Sequence, residues 1–589
     1  MQENGLAKET ADQVRAVRAG VGAWLREDMT FLRFAGPDAG SWLQTQTSND
    51  VAKLKTGQGQ LNAHLDRKGH PYAAFTIHRW EDEYWSFVDK AAAPALLESL
   101  DAHLFIEEVE MADSGDEVEQ VVLQGPRTVA FLASLMDTED GIASELLPTE
   151  MYGVHPIELL GYEVLAFRIT LTGEDGYVLV TEKDQGRPLL DSILESQHQI
   201  TCREIGEEAR EILRVEGGVP KFGVDYDATN RLPETTLERE AVSYDKGCYV
   251  GQEVIAKLKT YGAVKRALMG LILSQDEGLP AHNTDLYFEG KKIGTTKSPV
   301  WSPTLQRPIV MAYLDRDYRA PNSDLAFHLG KEGPQLVGTV KVLPFVEAPT
   351  REERAQKLYD EALQKFESDL EDEDDTAIQL LKEAVLLHPT FEDAYESLGV
   401  ILNRHGRVDE AIYYMKILER LNPDCLMAHT NLSVFYVAKG MIEEAEEEKA
   451  KASVLQMKQA SDTRKAEEIA KAERERLKQE ALERIEMFTE VLEIDPDDPL
   501  ATFGLGQSYM QLNEYDNAVP HLERATQVQK DYSAAYLNLG KCHEFLGQTD
   551  AAIEAYRIGI EAANRKGDFM PLREMERRMK ALEEGVGVE

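Results

Sequence analysis

One stretch of the chain gathers residues able to do chemistry: Lys246, Gly247, Cys248, Tyr249, Val250, Gly251, Gln252 and Glu253. A thiol set between glycines lies on backbone free to approach a ligand closely. An ammonium two residues away favours the thiolate, the reactive form. The same pattern also suits a small buried cysteine in a turn, the commoner fate of a single cysteine. The other cysteines, Cys202, Cys425 and Cys542, make no CxxC pair. That excludes a disulfide framework and a zinc knuckle. His64, His70 and His78 invite a metal site, but no carboxylate or second pair stands at ligand spacing, so satisfied surface histidines are expected. The basic run KLKTYGAVKR (257–266) reads first as the exposed side of the hairpin carrying the thiol, and second as an anion contact.

The elements that must position these residues belong to a chain of 589 residues, long enough for several domains. Hydrophobic residues make up 43% and aromatics 8%, enough for packed cores and too much for general disorder. Asp and Glu number 106 against 64 Lys and Arg, a formal charge of −42. Such a surface repels phosphate backbones, so direct nucleic-acid binding is disfavoured. MQENGLAKETADQ has no apolar core after a basic start, and no run approaches the roughly 18 apolar residues of a membrane span. The expectation is a soluble protein of a reducing cytoplasm, without a membrane partner.

The texture changes near residue 350. Before it, short apolar runs alternate with Gly and Pro, as in TFLRFAGPDAG, EQVVLQGPRTVAFL and VLAFRITLTGEDGYVLV, and read as strands; RPLLDSILESQ reads as a helix. After it, Ala, Leu, Glu and Lys dominate and the chain reads as helical. Small residues recur 34 apart at Gly399 and Ser433 and at Gly506 and Gly540. Ala377, Ala411 and Ala445 keep that step, as do Ala518 and Ala552. A small residue lets two helices of a hairpin approach, the alanine seats the second helix, and Pro389, Pro423 or Pro496 ends it. The pattern resembles the tetratricopeptide repeat, though the consensus Trp is missing, and implies about six units closed by the helix PLREMERRMKALEE. ESDLEDEDD (367–375) reads as a solvated loop in a degenerate first unit. The stretch 442–483, charged on nearly all faces, reads as a long solvated helix joining two repeat blocks; a sustained coiled-coil seam is missing.

The octapeptide KGCYVGQE resembles the signature of the YgfZ family, folate-binding relatives of the aminomethyltransferase T-protein of the glycine cleavage system. The likeness extends through GPDAGSWLQTQTSNDV (36–51), LQGPRT (123–128), LTGEDGY (171–177), EEAREILRVEGGVPKFGVDYD (207–227) and IGTTKSPVWSPTLQRPIVMAYL (293–314), in the family's order over roughly 15–348. It implies an α+β fold, a three-part cloverleaf around a cavity for tetrahydrofolate, at 1–348, with a barrel part at about 265–348. A tetratricopeptide solenoid with a capping helix would follow at 352–584. It further implies that Arg210, Arg214 and Glu216 approach the cavity, with Asn49 and Asp50 on a neighbouring loop. A carboxylate suits the pterin edge and cations suit the glutamate tail. For the Arg210 side chain, surface pairing along its helix is an equal alternative.

Two departures bear on activity. Where the transferases carry two successive aspartates after a Gly-Gly turn, this chain has Ala73 and Ala74, which can neither accept a proton nor orient an amine. Where they continue the Thr-Gly-Glu turn with a pterin-gripping glutamate, it has Val178. Both match the YgfZ branch, whose members are tied to iron–sulfur cluster assembly or repair and, through it, to tRNA-thiolating enzymes. Cys202 and Cys248 alone cannot supply the roughly four thiolates that hold a cluster, so Cys248 reads as a bridging or transient thiol. The expectation is a folate-binding cluster-maintenance factor whose repeats dock a client protein, with iron–sulfur enzymes among its partners. A folate-dependent one-carbon transferase and a scaffold working through its repeats alone are the alternatives.

Overall fold

The structure, a computed structural model, describes the chain except residues 1, 4–5, 137–145, 197–199, 262–263, 275–277, 367–370 and 584–589. After two short N-terminal strands, β1 (Gln2–Glu3) and β2 (Leu6–Ala7), helix α1 (Lys8–Ala19) leads into β3 (Val21–Arg26), β4 (Met29–Ala35) and α2 (Ala39–Gln46). Then come β5 (Gly59–Leu65), β6 (Pro71–Trp80), β7 (Glu83–Asp89), α3 (Ala93–Asp101), β8 (Glu110–Asp113), β9 (Val118–Gln124) and α4 (Thr128–Leu135). They are followed by β10 (Val154–Leu159), β11 (Tyr162–Arg168), β12 (Gly176–Glu182), α5 (Gly186–Glu195), β13 (Cys202–Glu204) and α6 (Glu207–Glu216). One lobe is the antiparallel sheet β5-β6-β7-β4-β8. A second is the sheet β10-β11-β12-β9-β3-β13, in which only β13 runs parallel to its neighbour. Core positions alternate as the strand period demands: on β6, Ala73, Phe75 and Ile77 enter the first lobe's core, while Ala74 takes the opposite face.

The third lobe is a closed barrel, β14 (Arg266–Leu273), β17 (Arg307–Asp315), β16 (Lys291–Ser302), β15 (Asp285–Phe288), β18 (Asp324–Leu329) and β19 (Gln335–Lys341), filled by Leu271, Ile293, Val310, Leu314 and Phe327. Between the second lobe and the barrel lie α7 (Glu238–Ala241) and α8 (Gln252–Tyr261). Residues 257–261 of the basic run are therefore helical, not part of a hairpin. The spacing of Val254, Ile255 and Leu258 gives that segment one inward face, and Ile255 is fully buried.

From Arg351 onward, among the described residues, only helices follow: α9 (Arg351–Phe366), α10 (Glu371–Leu387), α11 (Glu392–Arg404), α12 (Val408–Leu421), α13 (Leu426–Lys439), α14 (Ile442–Ile494), α15 (Pro499–Gln511), α16 (Tyr515–Val528), α17 (Ser533–Phe545), α18 (Thr549–Lys566) and α19 (Phe569–Glu583). The period works as expected. A Cβ on Gly399 would stand 2.5 Å from Met415 of the next helix, on Gly506 2.5 Å from Leu522, and on Gly540 2.2 Å from Tyr556. Ala377, Ala411, Ala518 and Ala552 are fully buried. The charged stretch is a single helix of 53 residues, α14. Residues 371–375 of the acidic run belong to α10 rather than a loop; 367–370 lie outside the described residues.

The chain packs as two compact units, Met1–Pro423 with Val434–Met441, and Asp424–Ser433 with Ile442–Glu589. Within the first unit, α9 is anchored on the second lobe. Arg351, 4% exposed, donates to Asp175 Oδ2 at 2.5 Å and to the Tyr177 hydroxyl at 2.9 Å, and Arg354 donates to the Pro126 carbonyl at 2.9 Å. Arg127 pairs with Glu383 of α10 at 2.7 Å.

Candidate functional site

Two signature segments meet through a backbone contact. Gly173 of the LTGEDGY turn takes a positive φ of 79°, and a Cβ there would stand 2.8 Å from Gly217 Cα of the RVEGG segment. The two turns touch glycine to glycine, a contact no other side chain permits. Around it Arg18 joins Glu174 at 2.8 Å and Glu216 at 2.8 Å. Glu216 is fully buried and accepts also from Ser302 Oγ at 2.5 Å and Thr304 Oγ1 at 2.9 Å. Arg214 is equally committed: to Glu211 at 2.6 Å, Asp225 at 2.6 Å, the Val219 carbonyl at 2.5 Å and Ser298 Oγ at 2.7 Å. Every polar group of this pair is satisfied within the protein, so both residues position the lobes and the barrel.

The octapeptide forms a staple. The C-terminal carbonyls of α2 and the turn after it lack intrahelical donors, and Lys246 reaches them from the other end of the domain. Its Nζ donates to the carbonyls of Gln44 at 2.6 Å, Thr47 at 2.6 Å and Asn49 at 2.7 Å. All three protons are used. Burial pulls this ammonium down to about 8. Asn49 extends the staple, donating through Nδ2 to the carbonyls of Leu61 at 2.9 Å and Glu240 at 2.8 Å; Ser48 Oγ donates to Ala241 O at 2.5 Å. Asp50 accepts from Gln44 at 2.9 Å and pairs with Lys53 at 2.8 Å, and this hydrogen bond with Lys53 holds its carboxyl below the usual range. Tyr249 packs beside Lys246, ring centre 5.2 Å from Nζ, and Gly251 adopts a φ of 84° where a Cβ would strike the Asp66 carbonyl at 2.6 Å. Gln252 and Glu253 open α8, Glu253 exposed and paired with Lys257 at 2.6 Å.

This arrangement turns the lysine inward and leaves Gly247 and Cys248 exposed. Lys246 thus anchors the loop instead of activating the thiol, and Cys248 is a presented cysteine, not a buried turn residue. By contrast, burial pushes the Cys202 and Cys542 thiols up to about 12, which disfavours their thiolates.

The expected surface histidines are two-thirds wrong in place and right in kind. His64 and His78 are fully buried, each with both ring nitrogens occupied: His64 by the Gln46 carbonyl at 2.7 Å and Ser99 Oγ at 2.9 Å, His78 by the Tyr152 carbonyl at 2.8 Å and Thr76 Oγ1 at 2.7 Å. Burial lowers both to about 4, so each is a neutral core residue. His70 is half-exposed and pairs with Asp66 at 3.1 Å.

Ala74 lies half-buried on β6, and Val178 is fully buried on β12 opposite Val122. Neither offers a polar atom from its side chain. Arg210 differs from the other four sequence-derived cofactor residues. Its guanidinium lies 6.0 Å from the Trp24 ring centre, Nη1 reaches the Leu25 carbonyl at 3.4 Å, and its buried Nε has no partner. An orphaned donor beside an indole suits a ligand that combines an aromatic system with carboxylates, as tetrahydrofolate does. Sequence reasoning missed Arg18 and Arg351, whose partners lie far away in sequence.

Residues 2–246 match the GCVT N-terminal domain, and residues 266–346 match the glycine cleavage T-protein C-terminal barrel domain. The chain carries both domains of the T-protein. Tetratricopeptide repeats match at 375–424, 479–526 and 503–566. An aminomethyltransferase of Halalkalibacterium halodurans is 28% identical, the match covering 57% of this chain and 89% of that protein. One of Chlorobium limicola is 29% identical over 56% and 90%. The crystal structure of the glycine cleavage system aminomethyltransferase T from Bartonella henselae aligns with a TM-score of 0.50 at 22% identity, over 59% of this chain and 94% of that one, and shares the fold. The T-protein lobes, the barrel and the helical repeats are thus the architecture expected from the sequence. No described helix is long and apolar enough to cross a membrane.

Proposed function

We propose that this protein is a folate-binding iron–sulfur cluster assembly or maintenance factor of the YgfZ type, acting in a reducing cytoplasm and docking a client protein on its repeats. The observation that carries the reading is the octapeptide loop: a lysine fully engaged in the interior holds an exposed thiol, Cys248, at a fixed place. The absence of a carboxylate at Ala74 supports it, because a T-protein fold without that group lacks an evident base for aminomethyl transfer. Arg210 and Trp24 would hold tetrahydrofolate, which supplies a one-carbon and redox-active pterin when bound. Arg214, Glu216, Asn49 and Asp50 would shape that site through their internal contacts. Cys248 would serve as one thiolate of a cluster shared with a partner, the cluster being cargo.

The test is complementation: cells lacking this protein regain the activity of a cluster-dependent enzyme, such as a tRNA-thiolating one, with the wild-type chain and not with Cys248→Ser. Equal rescue by both would overturn the reading. A second reading, a tetrahydrofolate-dependent one-carbon transferase, draws on the similarity to the aminomethyltransferases. Turnover of an aminomethyl or methyl donor with tetrahydrofolate, abolished by Arg210→Met, would favour it.

A further inference from the structure

Strand β8 ends one side of the first lobe's sheet, and among the described residues no strand pairs with its far side. It runs antiparallel to β4, with Ala112 opposite Arg33 and Glu110 opposite Ala35. Just past its end the Ser114 N–H donates to the Phe31 carbonyl at 2.8 Å, which fixes the phase of the ladder. Hydrogen-bonded pairs alternate with unbonded ones along an antiparallel ladder. Glu110 and Ala112 therefore bond to β4, whereas Met111 and Asp113 turn their N–H and C=O outward. Glu110, Ala112 and Asp113 are exposed and Met111 is half-buried. Both outward residues thus leave a donor and an acceptor for a further strand.

The chain leading into this edge holds apolar side chains in water. Phe105 and Ile106 are 79% and 91% exposed, and Glu107, Glu108 and Val109 alone separate them from β8. Their turn is tied down. The Glu107 carboxylate accepts from the N–H groups of Phe105 and Ile106, both at 3.1 Å, and the Val109 N–H donates to the Glu107 carbonyl at 3.1 Å. On the α3 side, Trp42 Nε1 donates to the His103 carbonyl at 3.2 Å. A turn fixed in this way gives up little conformational entropy when a partner covers it. Short, charged edge strands also guard sheets against stray pairing, but two large apolar side chains held in water beside the edge do not serve that end.

Charge decides what kind of strand fits. Residues 101–117 hold seven Asp or Glu and no Lys or Arg. Arg33, opposite Ala112 on β4, is spent on Glu83, its Nη2 2.8 Å from Oε1. A second copy of this chain would set Glu110 and Asp113 against like charges. We propose that the β8 edge and the turn of Phe105 and Ile106 form a docking site for an extended, Lys- or Arg-bearing segment of another protein, which adds to the sheet beyond β8. The partner's backbone would pair with Met111 and Asp113, its cations would meet Glu108 and Glu110, and its apolar side chains would cover Phe105 and Ile106. Neither folate nor the repeats take part.

The experiment titrates the full chain with a peptide of about ten residues that alternates Lys and Val. A second titration uses the same peptide N-methylated throughout, which keeps its charges and side chains but has no backbone N–H. The wild type is expected to bind the unmodified peptide about 10-fold more tightly than the methylated one, with slowed amide exchange at Met111 and Asp113. Met111→Pro removes an outward N–H without touching the bonds to β4, and is expected to erase that preference. Glu108→Lys with Glu110→Lys is expected to weaken the unmodified peptide about 10-fold, and Phe105→Ser with Ile106→Ser about 5-fold. These side chains are exposed, so both double variants should melt with the wild type and remain informative even where Met111→Pro does not fold. Equal affinity of the wild type for the two peptides reduces the surface to charge alone and overturns the proposal. So does unchanged binding in either double variant. Binding to neutral phosphatidylcholine vesicles that requires Phe105 and Ile106, with no preference between the peptides, overturns it in favour of a membrane contact.

Discussion

In the T-protein lobes, segments far apart in sequence are joined by charged side chains held away from water: Glu216 by Arg18, Ser302 and Thr304, Arg214 by Asp225 and Ser298, and Lys246 by three carbonyls. Between repeat helices the joint is a missing side chain, at Gly399, Gly506 and Gly540. The difference follows from topology. Each repeat helix meets its neighbour along a whole face, so apolar area and close approach suffice. The lobes meet at turns, where backbone donors and acceptors lie exposed to each other and need directional partners. Directional joints fix geometry to fractions of an ångström, as a ligand site requires, whereas shape-based joints repeat cheaply.

Breaking a lobe joint should have the larger effect. Glu216→Ala, which strands Arg18 and the Ser302 and Thr304 donors, is expected to destabilise the first unit by about 3–5 kcal/mol, read from its denaturant midpoint. A loss under about 1 kcal/mol would mean that the lobes do not depend on buried charge.

Acid probes the same lobes by another route. His64 and His78 titrate near 4 when folded and near 6.5 when unfolded. Their contribution is complete above pH 6.5 and is lost as pH falls toward 4, because the unfolded chain then binds the extra protons. Between pH 7 and 5 each should remove about 2 kcal/mol. Thermal melts should show the T-protein part weakening over that range, and a double His64→Gln, His78→Gln variant, compared by the slope alone, should flatten it. An unchanged slope would place the pH sensitivity elsewhere.

For the shape-based joints, Gly540→Ala should cost about 1–3 kcal/mol by driving a methyl into Tyr556. The helical signal would fall at a lower temperature with the lobes unaltered. Restored stability in Gly540→Ala with Tyr556→Leu would confirm that volume alone is at issue. The smallest effect is expected for Cys248→Ser, within about 0.5 kcal/mol, since an exposed thiol joins nothing. A large loss there would show that the octapeptide cysteine packs against something and is not presented.

The comparison also explains what could be read in advance. The repeats were legible because a period of small residues is a one-dimensional signal. The lobes were legible as a family order of motifs and as strand-like runs. The roles within them were less so. Lys246 works on carbonyls, which every residue carries, so no sequence pattern marks its partners. Arg214 and Glu216 stand in a motif that suggests a ligand, yet their partners, Asp225, Ser298, Ser302 and Thr304, come from the following loop and the barrel and are visible only once folded. His64 and His78 hide on strands whose alternation was blurred by neighbouring apolar residues on both faces. Helix 252–261 was obscured by a glycine and a lysine cluster that resemble a turn.

The anchor of Arg351 on Asp175 has a consequence for the order in which the protein is made. The two residues are 176 apart, so while the T-protein lobes emerge from the ribosome Asp175 of the LTGEDGY turn lacks one of its two close arginine partners, Arg168 and Arg351. The lobes can collapse first, but this turn, which also carries Glu174 and touches Gly217, settles only when the first repeat helix has been synthesised and folds back. Nascent chains released before residue 351 should keep that turn open to exchange, and its closure would then be a late, translation-timed event set by the arrival of a single arginine.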